Sequence, residues 1–182
     1  MLVFTRKKCQ QRIEAMRPRL YSIALSWSCG PDLANELVQE ALLTALDKLS
    51  QLRDTQALEG WLIKILANAH HQHLRRIKPT VNLDDIDLEY NHTPDHEVDR
   101  EYLIERVRHA IKRLNVDQRH VLTLVDMEGM SYTEVSLALD IRIGTVMSRL
   151  SRARSRLRDL LYDDLHGIVR DIDNVTMIRE VT

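Results

Sequence analysis

The sequence predicts an all-α protein made of two small helical domains joined by an acidic linker. Three observations carry that prediction. Hydrophobic residues make up 44% of the 182-residue chain and aromatics only 4%, so a core has to be built from Leu, Ile, Val and Ala, a composition that favours helices over packed sheets. Five Gly and four Pro are too few to punctuate a many-stranded fold. Charge falls in blocks: residues 1–78 carry 12 basic and 7 acidic groups, residues 79–98 carry six acids and no Lys or Arg, and residues 131–161 carry six Arg against three acids.

The first domain is expected over residues 10–78. Gly30-Pro31 breaks the chain, and Asp32 is placed to cap the helix that follows. Leu33, Leu37, Val38, Ala41, Leu42, Ala45, Leu46 and Leu49 then recur at helical spacing, with Gln39, Glu40, Leu43 and Asp47 largely on the other side. A further helix is predicted from about Ala57 to Arg76, with Leu58, Trp61, Leu62, Ile65, Leu66, Ala69 and Leu74 as its apolar stripe. It ends in Arg75, Arg76 and Lys78; the helix dipole alone favours basic groups there. Tyr21, Trp27 and Trp61 read as core or near-core aromatics, and Arg6, Lys7 and Lys8 as a solvated basic run.

Residues 79–98, with two Pro and six acids, form the predicted linker and domain boundary. Helical periodicity resumes at Asp99, and a second domain is expected over 99–161. Tyr102, Leu103, Val107, Ala110, Ile111 and Leu114 make one stripe. A helix from Gln118 to Met127 carries Val121, Leu122, Leu124 and Val125, and Glu128-Gly129 stops it. Residues 162–182 form an acidic tail that either frays or extends the last helix.

Ser131 and Glu134, three apart before an apolar run, spell a capping box. The short helix it opens has Val135, Ala138 and Leu139 facing inward. Asp140-Ile141-Arg142 is a tight break, with Asp140 able to adopt a left-handed conformation. A longer helix then runs from near Ile143 to about Leu161. Short helix, turn and longer helix is the helix-turn-helix layout of duplex-DNA readers. On a helical wheel Val146, Leu150, Ala153 and Leu157 share one face. The opposite face holds Gly144, Ser148, Ser151, Arg152 and Ser155, flanked by Thr145, Arg149 and Arg156 on one side and Met147 and Arg154 on the other. Small residues allow close approach to base edges, and the planar arginine fork suits guanine or phosphate.

These residues closely resemble the C-terminal helix-turn-helix of extracytoplasmic-function sigma factors: Ser131-Tyr132-Thr133-Glu134-Val135, then Ile141 through Arg154. The upstream half resembles the same family independently. Asp32-Leu33-Ala34-Asn35-Glu36-Leu37-Val38-Gln39-Glu40 is similar to its polymerase-binding helix. Gly60-Trp61-Leu62, with Ile65, Asn68 and Leu74-Arg75-Arg76, is similar to its promoter-melting helix. The resemblance spans roughly residues 15–161 in the family's order.

The resemblance implies an alternative sigma factor with no catalytic chemistry and no cofactor, metal or small-molecule substrate. Asp32, Asn35, Glu36, Gln39, Glu40, Leu43 and Asp47 would meet the β′ clamp helices of core RNA polymerase, with a second contact to the β flap. Trp61, Asn68, His71, Gln72, Arg75 and Arg76 would hold the melted −10 strand. Arg142, Gly144, Thr145, Met147, Ser148, Arg149, Ser151, Arg152 and Ser155 would read the −35 duplex in its major groove. An anti-sigma factor, of the kind often anchored in the membrane, is the implied regulator. Departures from the family pattern are Asp140 where Gly is usual, Arg142 and Asn115 where Pro is common, and the histidines at 70, 71 and 73.

Other classes fit less well. A helix-turn-helix regulator acting without replacing sigma would carry an effector or receiver domain, and the first half lacks a βαβ pattern. His70 and His73 have metal-ligand spacing, but no nearby Cys or carboxylate completes a set; they read as histidines facing nucleic acid or solvent. No phosphate loop, HExxH or nucleophile–base pairing appears. The N-terminal apolar run is too short for a signal peptide, no stretch approaches ~18 apolar residues, and Cys9 and Cys29 lack CxxC spacing. The expected location is the cytoplasm, with both thiols reduced.

Overall fold

The computed structural model describes residues 2–28, 30–52, 54–77 and 100–179, with side chains over 7–28, 30–52, 54–77 and 103–162. The linker assigned to 79–98 lies outside the described residues, as do residues 180–182 and the side chains of the tail beyond Tyr162. Eight α-helices are described: α1 (Leu2–Ala15), α2 (Arg17–Trp27), α3 (Pro31–Asp47), α4 (Leu58–Arg76), α5 (Arg100–Lys112), α6 (Val116–Leu122), α7 (Tyr132–Leu139) and α8 (Ile143–Arg179). No strand occurs among the described residues.

In the first half, α3 packs between α2 and α4. Leu20, Ile23 and Trp27 of α2, Leu37, Val38 and Ala41 of α3, and Leu58, Leu62, Ile63 and Leu66 of α4 fill the core. A fully buried Leu or Ile contributes about 1.5–3 kcal/mol, so this layer is what holds the outward faces of α3 and α4 in place. The cap of α3 differs from expectation. Pro31 is the first helical residue and Gly30 the cap, so Asp32 sits in the first turn. Proline's fixed φ and missing N–H suit that position, and the Asp32 carboxylate there favours the positive end of the helix dipole without capping it.

In the second half, α5, α6 and α7 all pack on α8. Asn115 caps α6 by accepting a bond from the Gln118 N–H at 2.9 Å, which suits Asn where a Pro would have supplied only geometry. The helix expected from Gln118 to Met127 starts earlier, at Val116, and its second part, Thr123–Met127, is π-helical. It ends at Gly129, whose φ is +69°. The capping box is formed as expected: Ser131 Oγ accepts from the Glu134 N–H at 3.3 Å, and Glu134 Oε2 accepts from the Ser131 N–H at 2.8 Å. These bonds from Ser131 hold the Glu134 carboxyl below its usual range. Asp140 takes the left-handed conformation, φ 57° and ψ 46°. The last helix does not stop near Leu161 but continues to Arg179, nothing in residues 162–179 being a Pro that would end it.

The two halves touch. Helix α4 packs against α7, and α2 against α5, α6 and the π-helical turn. Cores and seam form one continuous cluster of buried side chains.

Candidate nucleic-acid interface

The helix-turn-helix is α7, the Asp140–Arg142 turn and α8. Val146, Leu150 and Ala153 are buried and Leu157 half-buried, so the inner face of α8 is the expected one. Gly144, Met147, Ser148, Ser151, Arg152 and Ser155 are exposed together on the outer face, with Arg142 exposed in the turn and Thr145 and Arg149 half-buried at its edge. The arginines are held. Arg149 pairs with Asp117 at 2.6 Å, Arg154 makes two bonds to Asp126, at 3.0 and 2.6 Å, and Arg152 Nε donates to the Ser148 carbonyl at 3.2 Å. The Asp126 carboxylate holds the Arg154 guanidinium even further above its ordinary range. Thr145, Arg149 and Arg152 also line a concavity of about 530 Å³ against Asn115, Asp117 and Gln118. The start of α6 and the start of α8 thus share one basic recess.

On α4 the outward face holds Asn68, Gln72, Arg75 and Arg76, all four exposed. Trp61 is half-buried at the same angle and His71 half-buried at its rim. Arg75 Nε donates to the His71 carbonyl at 3.3 Å, and no described acid pairs with Arg75 or Arg76. The apolar back of α4 is locked into the core, so the face is rigid while its basic end is open. On α3 Asp32, Asn35, Glu36, Gln39 and Asp47 are exposed and Glu40 half-buried, around Leu43, which is 69% exposed.

His70 departs from expectation. Its place in a run of histidines suggests solvent or nucleic acid, but it is 2% exposed and lies against His120, itself 1% exposed, with Nδ1 and Nε2 2.8 Å apart. Nearly a full turn of helix separates residues 70 and 73, yet only the former points across the seam; His73 is half-buried. No group of three His, Cys, Asp or Glu that could hold a metal occurs among the described residues. Sequence reasoning missed His120, Arg119 and Lys64. Arg119 donates to the carbonyls of Trp27 and Leu114 at 2.6 and 2.9 Å, and Lys64 pairs with Asp140 at 3.0 Å. Arg119 and His120 sit beside apolar Val121 and Leu122, and no local pattern marks them.

Comparison with known proteins decides the family. Residues 12–80 match the family described as Sigma-70 region 2 and residues 104–157 the one described as Sigma-70, region 4. Relatives include the ECF RNA polymerase sigma factor EcfG of Rhodopseudomonas palustris, 36% identical over 84% of this chain and 84% of that one. The chain belongs to the extracytoplasmic-function sigma factors of the sigma-70 family. Another relative is SigM of Mycobacterium tuberculosis, 34% identical over 79% of this sigma factor and 71% of that protein. Among solved structures, the sigma factor RpoE of Bartonella quintana, in complex with the anti-sigma factor NepR, aligns over 86% of this chain and 98% of that one, with 28% identity and a TM-score of 0.69. CnrH, in complex with the cytosolic domain of CnrY, shares the fold at 22% identity and a TM-score of 0.64, over 87% of this chain and 90% of that one. The family is one of alternative sigma factors, which direct core RNA polymerase to promoters. No helix among the described residues is long and apolar enough to cross a membrane.

Proposed function

We propose that this sigma factor divides promoter recognition between two faces: α4 holds the melted −10 strand, and α8 reads the −35 duplex. The observation that carries the reading is the pair of Arg-bearing outer faces, each backed by a largely buried apolar stripe. On α4, Trp61, Asn68 and Gln72 offer stacking and hydrogen bonding to unpaired bases, while Arg75 and Arg76 meet the backbone. On α8, Ser148, Ser151 and Ser155 allow groove entry, and Arg149 and Arg152 reach guanine or phosphate. The α3 face around Leu43 docks on the β′ clamp helices, with a second contact from residues 99–161 to the β flap. An anti-sigma factor covers these surfaces until a signal arrives; the RpoE–NepR and CnrH–CnrY complexes support such control in similar proteins. The linker at 79–98, carrying six acids, runs through the polymerase.

The test is run-off transcription with purified core RNA polymerase on fragments of the host genome, with and without the protein. New discrete transcripts that need it are expected. No transcript, together with no complex with core polymerase, would sink the reading.

A further inference from the structure

The seam between the two halves is polar where a simple packing contact would be apolar. At its centre the Trp27 ring lies on His120 with centroids 4.0 Å apart, and His120 meets His70 at 2.8 Å. Arg119 reaches across to the Trp27 carbonyl at 2.6 Å. Two ion pairs close the rim, Arg19–Glu128 at 2.7 Å and Lys64–Asp140 at 3.0 Å. Trp27 Nε1 is buried with no hydrogen-bond partner among the described residues, so the seam is stabilised less than a fully satisfied interior of the same size.

This packing is incompatible with reading both promoter elements at once. Helix α4 packs on α7, and α7 on α8; at about 8–10 Å per helix-to-helix contact, the two reading helices lie within roughly 20 Å of each other where they pack. Elements about 25 base pairs apart are separated by about 85 Å at about 3.4 Å per base pair. The seam also closes over one edge of the α4 reading face, where His71 stands edge-on to His120 at 5.0 Å.

We propose that the Trp27–His70–His120–Arg119 cluster is a latch that favours the packed form of the free protein, which core polymerase has to open, and that protonation of the histidine pair weakens it. The proposal rests on the two-face reading above. Two imidazoles sharing one hydrogen bond tolerate at most one added proton, and the groups facing them are cationic or neutral. His70 faces His120 and Arg119 from α6 and Trp27 from α2, with His71 and His73 along its own helix; His120 faces Arg149 from α8 as well. Four acids on the packed elements are engaged: Glu128 by Arg19, Asp140 by Lys64, Asp117 by Arg149 and Asp126 by Arg154. Burial first, then Arg119, pushes His70 down to about 4, and burial pushes His120 well below its ordinary value. The sign is fixed by that depression. A histidine whose packed-state value is depressed supports packing fully above about pH 6.5 and loses that support as pH falls toward the packed value. For His70 alone, the open-to-packed ratio rises about tenfold between pH 7.5 and 5.5.

The test is small-angle X-ray scattering of the full chain at both pH values, with far-UV circular dichroism in parallel. The wild type is expected to expand at pH 5.5 with unchanged helix content. His70→Gln with His120→Gln, or His70→Gln alone should the pair not fold, should show a flattened response. No expansion, an equal expansion in the variants, or expansion accompanied by helix loss would overturn the latch. A second arm joins Lys64→Cys to Asp140→Cys with a reducible bis-maleimide crosslinker and measures run-off transcription. The joined protein should be silent and recover on reduction; full activity while joined would overturn the need for opening. Scattering needs no polymerase, so a failure of the two-face reading would leave the latch decidable.

Discussion

The basic faces of α4 and α8 differ in whether acids hold their arginines. On α8, Arg149 and Arg154 are aimed by Asp117 and Asp126, and Arg152 lies back along its own helix. On α4, Arg75 lies back along its own helix as Arg152 does, and neither Arg75 nor Arg76 has a described acid beside it. Under the two-face reading proposed above, the difference matches the two targets. A duplex groove has fixed geometry, so side chains that are pre-aimed lose little freedom on binding. A melted strand is pliable, and a basic end free of acid partners beside Trp61, Asn68 and Gln72 can follow its backbone. Partner carboxylates would compete with phosphate there.

That contrast can be broken at several strengths. Arg75→Ala with Arg76→Ala should lower transcription from a cognate promoter roughly a hundredfold, at about 1.5 kcal/mol for each charged hydrogen bond removed, while leaving core polymerase binding intact in a gel-shift assay. Arg149→Ala with Arg152→Ala should weaken binding of the −35 duplex by roughly ten- to a hundredfold. It should also flatten the salt dependence by about one unit for each phosphate that is no longer neutralised, measured by fluorescence anisotropy across a salt series. Ser131→Ala removes the side-chain half of the capping box and should cost about 1 kcal/mol in chemical denaturation, without altering the α4 face. Asp117→Ala should have the smallest effect. It frees Arg149, should move stability by no more than about 0.5 kcal/mol, and should raise nonspecific duplex affinity a few-fold while blurring base preference in a competition assay.

Much of both faces is legible in sequence because it is written in local periods. Val146, Leu150 and Ala153 recur every three or four residues and are buried. Ser131 and Glu134 are three apart and bond reciprocally. The left-handed Asp140 follows from its place between two helical patterns. What is not legible depends on distant partners. His70 and His120 are 50 residues apart, and Arg119 and Trp27 are 92 apart. In sequence, His70 reads as one of a run of histidines; only the packing of α6 against the other half gives it a different environment from His71. The π-helical turn at Thr123–Met127 has the same apolar content as an α-helix, so composition cannot distinguish them. The cap expected at Asp32 moves for a local reason: Pro31 already satisfies the first helical position, which sets the cap back to Gly30.

The division of labour is tested most directly by holoenzyme binding to two separate probes, a −35 duplex and a −10 single-stranded oligonucleotide, using the two double-arginine variants. Arg75→Ala with Arg76→Ala should lose only the single strand, and Arg149→Ala with Arg152→Ala only the duplex. Equal loss of both probes by either variant would contradict the division of labour.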